Sequence, residues 1–201
     1  MPCGTYVSQF VLQALYVGNP ADHGKAALAV LTSTAKNTWV NMLRQGATTT
    51  MEMWTPNEKP NLTWSHVWSA SPGFIIPWFL FGIQPLAPGW SKLAIKPAPG
   101  ALEHGVYTLP TIKGAVSAHF EAAGTAGGGL RLTISLPPGT DAKVSIPLLR
   151  LGAEPALNGA TTAVLRMDGV VLQRATEYVV EKDHWSVLSV GPGRHTFEIL
   201  A

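Results

Sequence analysis

The stretch Gln84-Pro85-Leu86-Ala87-Pro88-Gly89-Trp90 separates two parts of the chain that differ in their sequence pattern. Two prolines and a glycine within so short a stretch are typical of turns. Apolar residues before it recur at helical spacing, whereas short runs compatible with β-strands dominate after it. The sequence therefore predicts an α+β fold, in which about four helices over residues 1–90 precede an antiparallel β-sandwich over residues 91–201.

The helical part has clear start and stop signals. Gly18 follows the first apolar repeat and Gly46 follows the third, and both glycines suit the end of a helix. Ser71 as N-cap and Pro72 at the first helical position predict the start of a fourth helix, which Pro77 would kink. The predicted helices cover residues 7–15, 21–31, 39–46 and 71–83.

The predicted helices are apolar and poorly charged. Residues 1–90 contain only three acids, Asp22, Glu52 and Glu58. A helix that is apolar nearly all round must be covered by other protein. We therefore interpret residues 1–90 as the end of a larger helical assembly.

Short β-compatible runs recur about every ten residues after position 90, as in β-sandwiches. Asn158-Gly159 and Asp168-Gly169 are hairpin-turn dipeptides, and Thr125 to Gly129 is expected to be a flexible loop. The predicted strands cover residues 93–96, 106–109, 115–121, 130–136, 142–146, 164–166, 170–172, 178–180, 185–190 and 195–200.

The composition excludes several function classes. Charged residues are 13% of the 201 residues, hydrophobic residues are 46%, and the net charge is +2. The chain has no dense Lys/Arg run, so neither nucleic acid nor an anionic membrane is an expected partner. No apolar run reaches the length of about 20 residues that spans a bilayer, and no signal peptide is expected at Met1. The single cysteine, Cys3, forms no intrachain disulfide and leaves the compartment unknown.

One carboxylate lies among aromatic residues. Glu52 lies two residues before Trp54, and Trp64-Ser65-His66-Val67-Trp68 follows. Flat aromatic faces, a carboxylate and polar groups are what a sugar site needs. Glu52 is expected on a loop, because the β-branched residues 48–50 disfavour a helix interior. Alternatively, Glu52 caps a helix or pairs with Arg44, and His66 is a hydrogen-bonded core residue.

Five motifs in order resemble a known family. They are Gly-Ala-Thr-Thr-x-x-Glu-x-Trp (46–54), Ser-His-x-Trp-Ser-Ala-x-Pro (65–72), Phe-Gly-Ile-Gln-Pro-Leu-Ala-Pro-Gly-Trp (81–90), Ile-Lys-Pro (95–97) and Thr-Leu-Pro-Thr-Ile-Lys-Gly (108–114). This order resembles the C-terminal portion of the bacterial and fungal α-L-rhamnosidases of glycoside hydrolase family 78. In that family an (α/α)6 barrel carries the active site and a β-sandwich follows it.

The resemblance implies hydrolysis of terminal α-L-rhamnosyl residues with inversion, without a metal or organic cofactor. Glu52 matches the family's general base, and His66 matches a histidine that lines the sugar subsite. Trp54 and Trp64 fall where aromatic residues shape that pocket, whereas Met51 replaces an aromatic residue usual before the glutamate.

The resemblance also places the family's general acid on the barrel, upstream of the matched residues. Glu58 is a poor substitute, because the neighbouring Lys59 would lower its pKa. We expect the partners to be the missing upstream barrel segment and rhamnose-containing glycosides, and the chain alone to be inactive. The alternative is a non-catalytic truncated or remnant protein, whose β-sandwich has a structural or carbohydrate-interaction role.

Overall fold

A computed structural model describes residues 3–18, 20–122, 130–147, 164–181 and 184–200, with the backbone only for residues 20–23. The chain divides into two compact units. The helical unit comprises Met1–Leu80 and Pro99–Ala101, and the sandwich unit comprises Phe81–Ala98 and Leu102–Ala201. The first strand begins at Ile83, so strands start ahead of the predicted domain boundary at residue 90.

All four predicted helices are present, with one correction. They are α1 (Thr5–Gly18), α2 (Pro20–Thr32), α3 (Trp39–Arg44) and α4 (Pro72–Ile75). The fourth passes into a π-helical turn, Ile76–Leu80, and stops before the predicted end at residue 83. This change of helix type occurs at Pro77. Proline donates no backbone hydrogen bond and crowds the preceding turn, so a regular α-helix is disfavoured there.

Ser71 occupies the predicted N-cap position, directly before Pro72, but it does not cap the helix with its side chain. The Ser71 backbone is already helical (φ −54°, ψ −32°), and its side chain makes no capping bond. A side-chain cap is present at a different helix, α3, where Thr38 Oγ1 accepts a hydrogen bond from the Asn41 N–H at 3.3 Å. Thr38 has the extended backbone that a cap requires.

The core of the helical unit is built around two tryptophans. Trp39 and Trp54 pack edge to face, with ring centroids 5.1 Å apart. Each indole N–H donates to a backbone carbonyl at 2.7 Å, Trp39 to Ser69 and Trp54 to Cys3. These bonds let large aromatic side chains be buried without an unsatisfied donor.

Helix α1 has an unusual distribution of polarity. The side it buries includes the polar residues Thr5 and Ser8. Its exposed side is apolar and carries Tyr6, Val7, Phe10, Val11 and Val17. No helix among the described residues is long and apolar enough to cross a membrane.

The sandwich unit contains two sheets, with strands numbered in chain order. One has the order β1 (Ile83–Pro85), β2 (Lys92–Ile95), β6 (Asp141–Pro147), β10 (His184–Val190), β9 (Val179–Val180). The other has the order β3 (His104–Thr111), β4 (Gly114–Ala122), β5 (Leu130–Leu136), β11 (Gly193–Leu200), β7 (Val164–Met167), β8 (Val170–Val171). Alternate residues face the core, as Leu132 and Ile134 do in β5 while Arg131 is exposed.

The predicted strands are confirmed, and two details differ. Strand β1 lies in the stretch predicted to be a turn, because a three-residue strand that ends in proline has almost no pattern of its own. The pair β2–β6 is parallel, although every strand pair was expected to be antiparallel. Three strands of the other sheet lie between these two in sequence, so no tight hairpin fixes their relative direction.

The predicted turn at Asp168-Gly169 is confirmed. Both residues have positive φ, +50° and +83°, and they join β7 to β8. The predicted turn at Asn158-Gly159 and the loop over residues 125–129 lie outside the described residues.

Candidate active site

Glu52 lies on an irregular segment, as predicted from the sequence. Gly46, at φ +85°, ends α3, and a short 3₁₀ turn, Pro56–Glu58, follows the glutamate. The backbone N–H of Glu52 donates to the Thr63 carbonyl at 2.9 Å, and that of His66 donates to Thr50 at 2.8 Å. These bonds bring the loop that carries Glu52 against residues 63–66.

The threonine run fixes this pairing through its side chains. Thr49 Oγ1 donates to the Trp64 carbonyl at 2.6 Å, and Thr50 Oγ1 donates to the His66 carbonyl at 3.0 Å. The predicted site residues Glu52, Trp64 and His66 are thus brought together.

Two buried hydroxyl groups, of Thr5 and Ser69, also donate to the backbone of the loop that carries Glu52. Thr5 Oγ1 donates to the Glu52 carbonyl at 2.5 Å, and Ser69 Oγ donates to the Met51 carbonyl. Both hydroxyl residues are fully buried. The buried polar residue Thr5 of α1 therefore anchors the backbone of the candidate site.

Both carboxylate oxygens of Glu52 accept a hydrogen bond. Lys59 Nζ donates to Oε1 at 2.5 Å, and the Thr63 N–H donates to Oε2 at 3.1 Å. The hydrogen bond from Lys59 and then that from Thr63 hold the pKa of Glu52 below its usual value of 4.5, and the nearby His66 adds to this effect. Glu52 is therefore a carboxylate at neutral pH, although only 8% of the residue is exposed.

The pairing partner of Glu52 differs from the one considered from sequence. Arg44 donates to the Thr34 carbonyl at 2.8 Å instead. Lys59, which was expected to act on Glu58, binds Glu52, while Glu58 accepts from Thr55 Oγ1 at 3.0 Å. No sequence pattern predicts the contact between Lys59 and Glu52, because it forms only when the turn Pro56–Glu58 brings Lys59 back towards Glu52.

His66 and the tryptophans beside it are accessible. The His66 ring packs against Trp68 with centroids 4.6 Å apart, and its Nδ1 accepts from the Trp68 N–H at 3.2 Å. Trp64 and Trp68 are 45% and 47% exposed. In the neutral ring, Nδ1 as acceptor leaves the proton on Nε2, where it can be donated to a ligand.

Trp54 is not accessible to a ligand, and the role predicted for it does not fit its position. Trp54 is 2% exposed. Trp39 packs against its ring, and its N–H donates to the Cys3 carbonyl. Additional protein around this unit would only bury it further. Trp54 is a core residue that supports the loop of Glu52.

An aromatic row that was not predicted from the sequence lies beside the site. Trp68 lies 5.6 Å from Tyr6, and Tyr6 lies 5.7 Å from Phe10, all as ring centroids. The spacing of Tyr6 and Phe10 placed both on one face of α1, but only the structure shows that Trp68 continues that face.

Comparison with protein-family models gives two adjacent matches. Residues 1–81 match the bacterial α-L-rhamnosidase six-hairpin glycosidase domain, and residues 82–157 match the bacterial α-L-rhamnosidase C-terminal domain. The chain belongs to the α-L-rhamnosidase family. The first of the two matches is to a glycosidase domain, and the two matches meet within one residue of the division between the two compact units.

Solved structures show the same fold. The α-L-rhamnosidase from Dictyoglumus thermophilum matches 100% of this chain with a TM-score of 0.79 and 18% identity. The Streptomyces avermitilis enzyme, solved with L-rhamnose, matches 89% with a TM-score of 0.67 and 24% identity. The Aspergillus terreus enzyme matches 88% with a TM-score of 0.61 and 21% identity.

The rhamnosidase-family chain spans 21%, 16% and 17% of the lengths of these three proteins. It thus corresponds to about a sixth to a fifth of the length of each relative. A search of curated proteins found no significant match.

Proposed function

We propose that this chain forms the C-terminal part of an inverting α-L-rhamnosidase, in which Glu52 is the general base. The observation that carries the proposal is the Glu52 carboxylate itself. It is ionised, bonded at both oxygens, and displayed from a loop that is paired with the segment of Trp64 and His66.

The electrostatics of Glu52 suit a base and not an acid. Inversion needs one carboxylate to remove a proton from water and one carboxylic acid to protonate the leaving oxygen. Lowering of its pKa keeps Glu52 in the form that accepts a proton. Each carboxylate oxygen has two lone pairs, so Lys59 and Thr63 leave one lone pair on each oxygen for water.

The acid would come from the rest of the six-hairpin domain. The two carboxyl groups of an inverting site lie about 6.5–9.5 Å apart. Glu58, the other acid whose side chain is described in residues 1–80, is exposed in a turn and bonded to Thr55. The exposed apolar side of α1 supports further helices packing there, because an apolar helix face is stable when covered.

L-rhamnosides are the substrate class we propose. The relative from Streptomyces avermitilis was solved with L-rhamnose. Trp64 and Trp68 offer exposed aromatic faces for the apolar side of a pyranose, and His66 Nε2–H can donate to a hydroxyl group.

The test is hydrolysis of an aryl α-L-rhamnoside by this chain assembled with a polypeptide that carries the remaining hairpins. We expect turnover, with the β-anomer of L-rhamnose formed first, as followed by proton NMR. The α-anomer as first product would contradict inversion. Robust turnover by this chain alone would contradict the need for a second polypeptide.

One observation favours the non-catalytic alternative. Trp54, one of two tryptophans predicted to shape the sugar pocket, is buried in the core. If the chain is a non-catalytic remnant, its assembly with the remaining hairpins should not hydrolyse the rhamnoside, and Glu52→Gln should not change the measured rate.

A further inference from the structure

Lys59 makes a contact with the candidate base that no sequence motif predicts. It follows Glu52 by seven residues, and its Nζ lies 2.5 Å from Oε1. The lysine side chain is 38% exposed, whereas that of Glu52 is 11% exposed. The ammonium group therefore reaches from the surface onto a carboxylate that is mostly covered.

The two donors to Glu52 act on different oxygens. Lys59 binds Oε1, and the Thr63 N–H binds Oε2 at 3.1 Å. The terminal torsion of a glutamate is broad when the group is unconstrained. A donor at each oxygen fixes the plane of the carboxylate, and with it the directions of the remaining lone pairs.

We propose that Lys59 is a positioning residue for the general base, one that fixes the Glu52 carboxylate and keeps it ionised in acid. This rests on the proposed function of Glu52. Lys59 acts through Glu52 and has no assigned contact with substrate. Its role is distinct from that of an ordinary exposed ion pair, which changes stability little.

The surroundings leave few other groups that could do the same. Lys59 and His66 are the charged or titratable side chains that lower the pKa of Glu52, and the contribution of the Lys59 hydrogen bond is the largest. Glu58, adjacent in sequence, is bonded to Thr55 and does not take the ammonium group.

The consequence for catalysis has a definite sign. A general base works only in its ionised form, so the pKa of Glu52 sets the acidic limit of activity. Without the Lys59 charge, that pKa rises, and the acidic limb of the kcat/KM profile moves to higher pH. In Lys59→Arg, which keeps a positive charge at this position, the acidic limb should lie at the same pH as in the wild type.

The test uses the 201-residue chain with carbon-13 at the glutamate carboxyl groups, titrated by NMR. The Glu52 signal is assigned by its loss in Glu52→Gln, and the Thr63 amide proton, bonded to Oε2, gives a second readout. Lys59→Met and Lys59→Gln remove the charge, and Lys59→Arg retains it. Lys36→Met, at an exposed lysine of the same unit, is the matched control.

We expect the Glu52 midpoint to rise in both neutral variants, with the Thr63 amide following it, and to stay low in Lys59→Arg and Lys36→Met. A midpoint unchanged in a folded neutral variant, or moved equally by Lys36→Met, would overturn the proposal. Because this readout needs no hydrolysis, an inactive assembly with the midpoint shift intact would count against the proposed function alone.

Discussion

At the scale of single residues, burial separates two tryptophans that the sequence treats alike. Trp54 is buried and bonded through its N–H, whereas Trp64 is 45% exposed. We expect Trp54→Ala to lower the free energy of unfolding by about 3–5 kcal/mol through cavity formation. Trp64→Ala, the matched control, should change it by about 0.5 kcal/mol. Urea unfolding measures both, and equal effects would refute the placement of Trp54 in the core.

Glu52 gives a prediction about pH and stability. Its pKa in the folded chain is below the usual 4.5, so its contribution to stability is fully present above that value. The contribution is lost as the pH falls through the lower folded pKa. The difference in unfolding free energy between the wild type and Glu52→Gln should therefore shrink from about pH 7 to about pH 3.

The measurement is urea unfolding of both proteins at the two pH values. Glu58→Gln, which changes the charge of an exposed acid in the same turn region, is the control. A difference that grew on acidification would show that the Glu52 pKa is raised in the folded chain and not lowered.

The same residues show how far the sequence predicts the site. Gly46, the threonine run and Pro56 are local signals, and they placed Glu52 on a loop correctly. The burial of Trp54 depends on Cys3, 51 residues away, and the Lys59 contact depends on how a turn folds back. Such long-range contacts have no local pattern, so the sequence could not predict them.

At the scale of elements, hydrophobic periodicity predicted the helices and strands well. It failed where an element was short or contained proline, as in β1 and the π-helical turn Ile76–Leu80. Gly82, between these two, shows why a local pattern is insufficient. A Cβ at Gly82 would lie 1.9 Å from the Lys96 carbonyl oxygen, which belongs to the partner segment of β1.

This close approach gives a prediction with a matched control. Gly82 and Gly169 both have positive φ, +69° and +83°, but a Cβ at Gly169 meets nothing within 4 Å. Gly169→Ala should cost only the backbone strain of about 1–2 kcal/mol. Gly82→Ala should cost at least about 1–3 kcal/mol more, because the backbone must move. Equal losses in thermal or urea unfolding would contradict the tight contact at Gly82.

The exposed side of α1 gives another prediction. Phe10 is 52% exposed, whereas Leu12 on the same helix is fully buried. Phe10→Ser should leave the stability of the isolated chain nearly unchanged, but it should weaken binding to a polypeptide that carries the remaining hairpins. Calorimetric titration of that polypeptide measures the loss. Leu12→Ser, the control, should unfold the helical unit, since it places a polar group in the core. Unchanged binding of Phe10→Ser would show that this side of α1 is not the contact.

At the scale of the whole molecule, the chain joins part of a six-hairpin glycosidase domain to a β-sandwich, and it spans about a fifth of the relatives of known structure. The sandwich completes its own core from two sheets. Among the described residues of the helical unit, helix α1 has an exposed apolar side, and the acid Glu58 is exposed and bonded to Thr55. The proposed hydrolysis therefore requires an assembly of this chain with further helices.

The most direct test is the rate of aryl α-L-rhamnoside hydrolysis by that assembly with three forms of this chain: wild type, Glu52→Gln and Glu58→Gln. The two substitutions remove one carboxylate each from positions six residues apart. We predict that Glu52→Gln lowers kcat by about 10²–10⁴-fold, the usual contribution of a general base, and that Glu58→Gln leaves it nearly unchanged. Retention of near-wild-type kcat in Glu52→Gln, or an equal loss in Glu58→Gln, would contradict the assignment of Glu52 as the base.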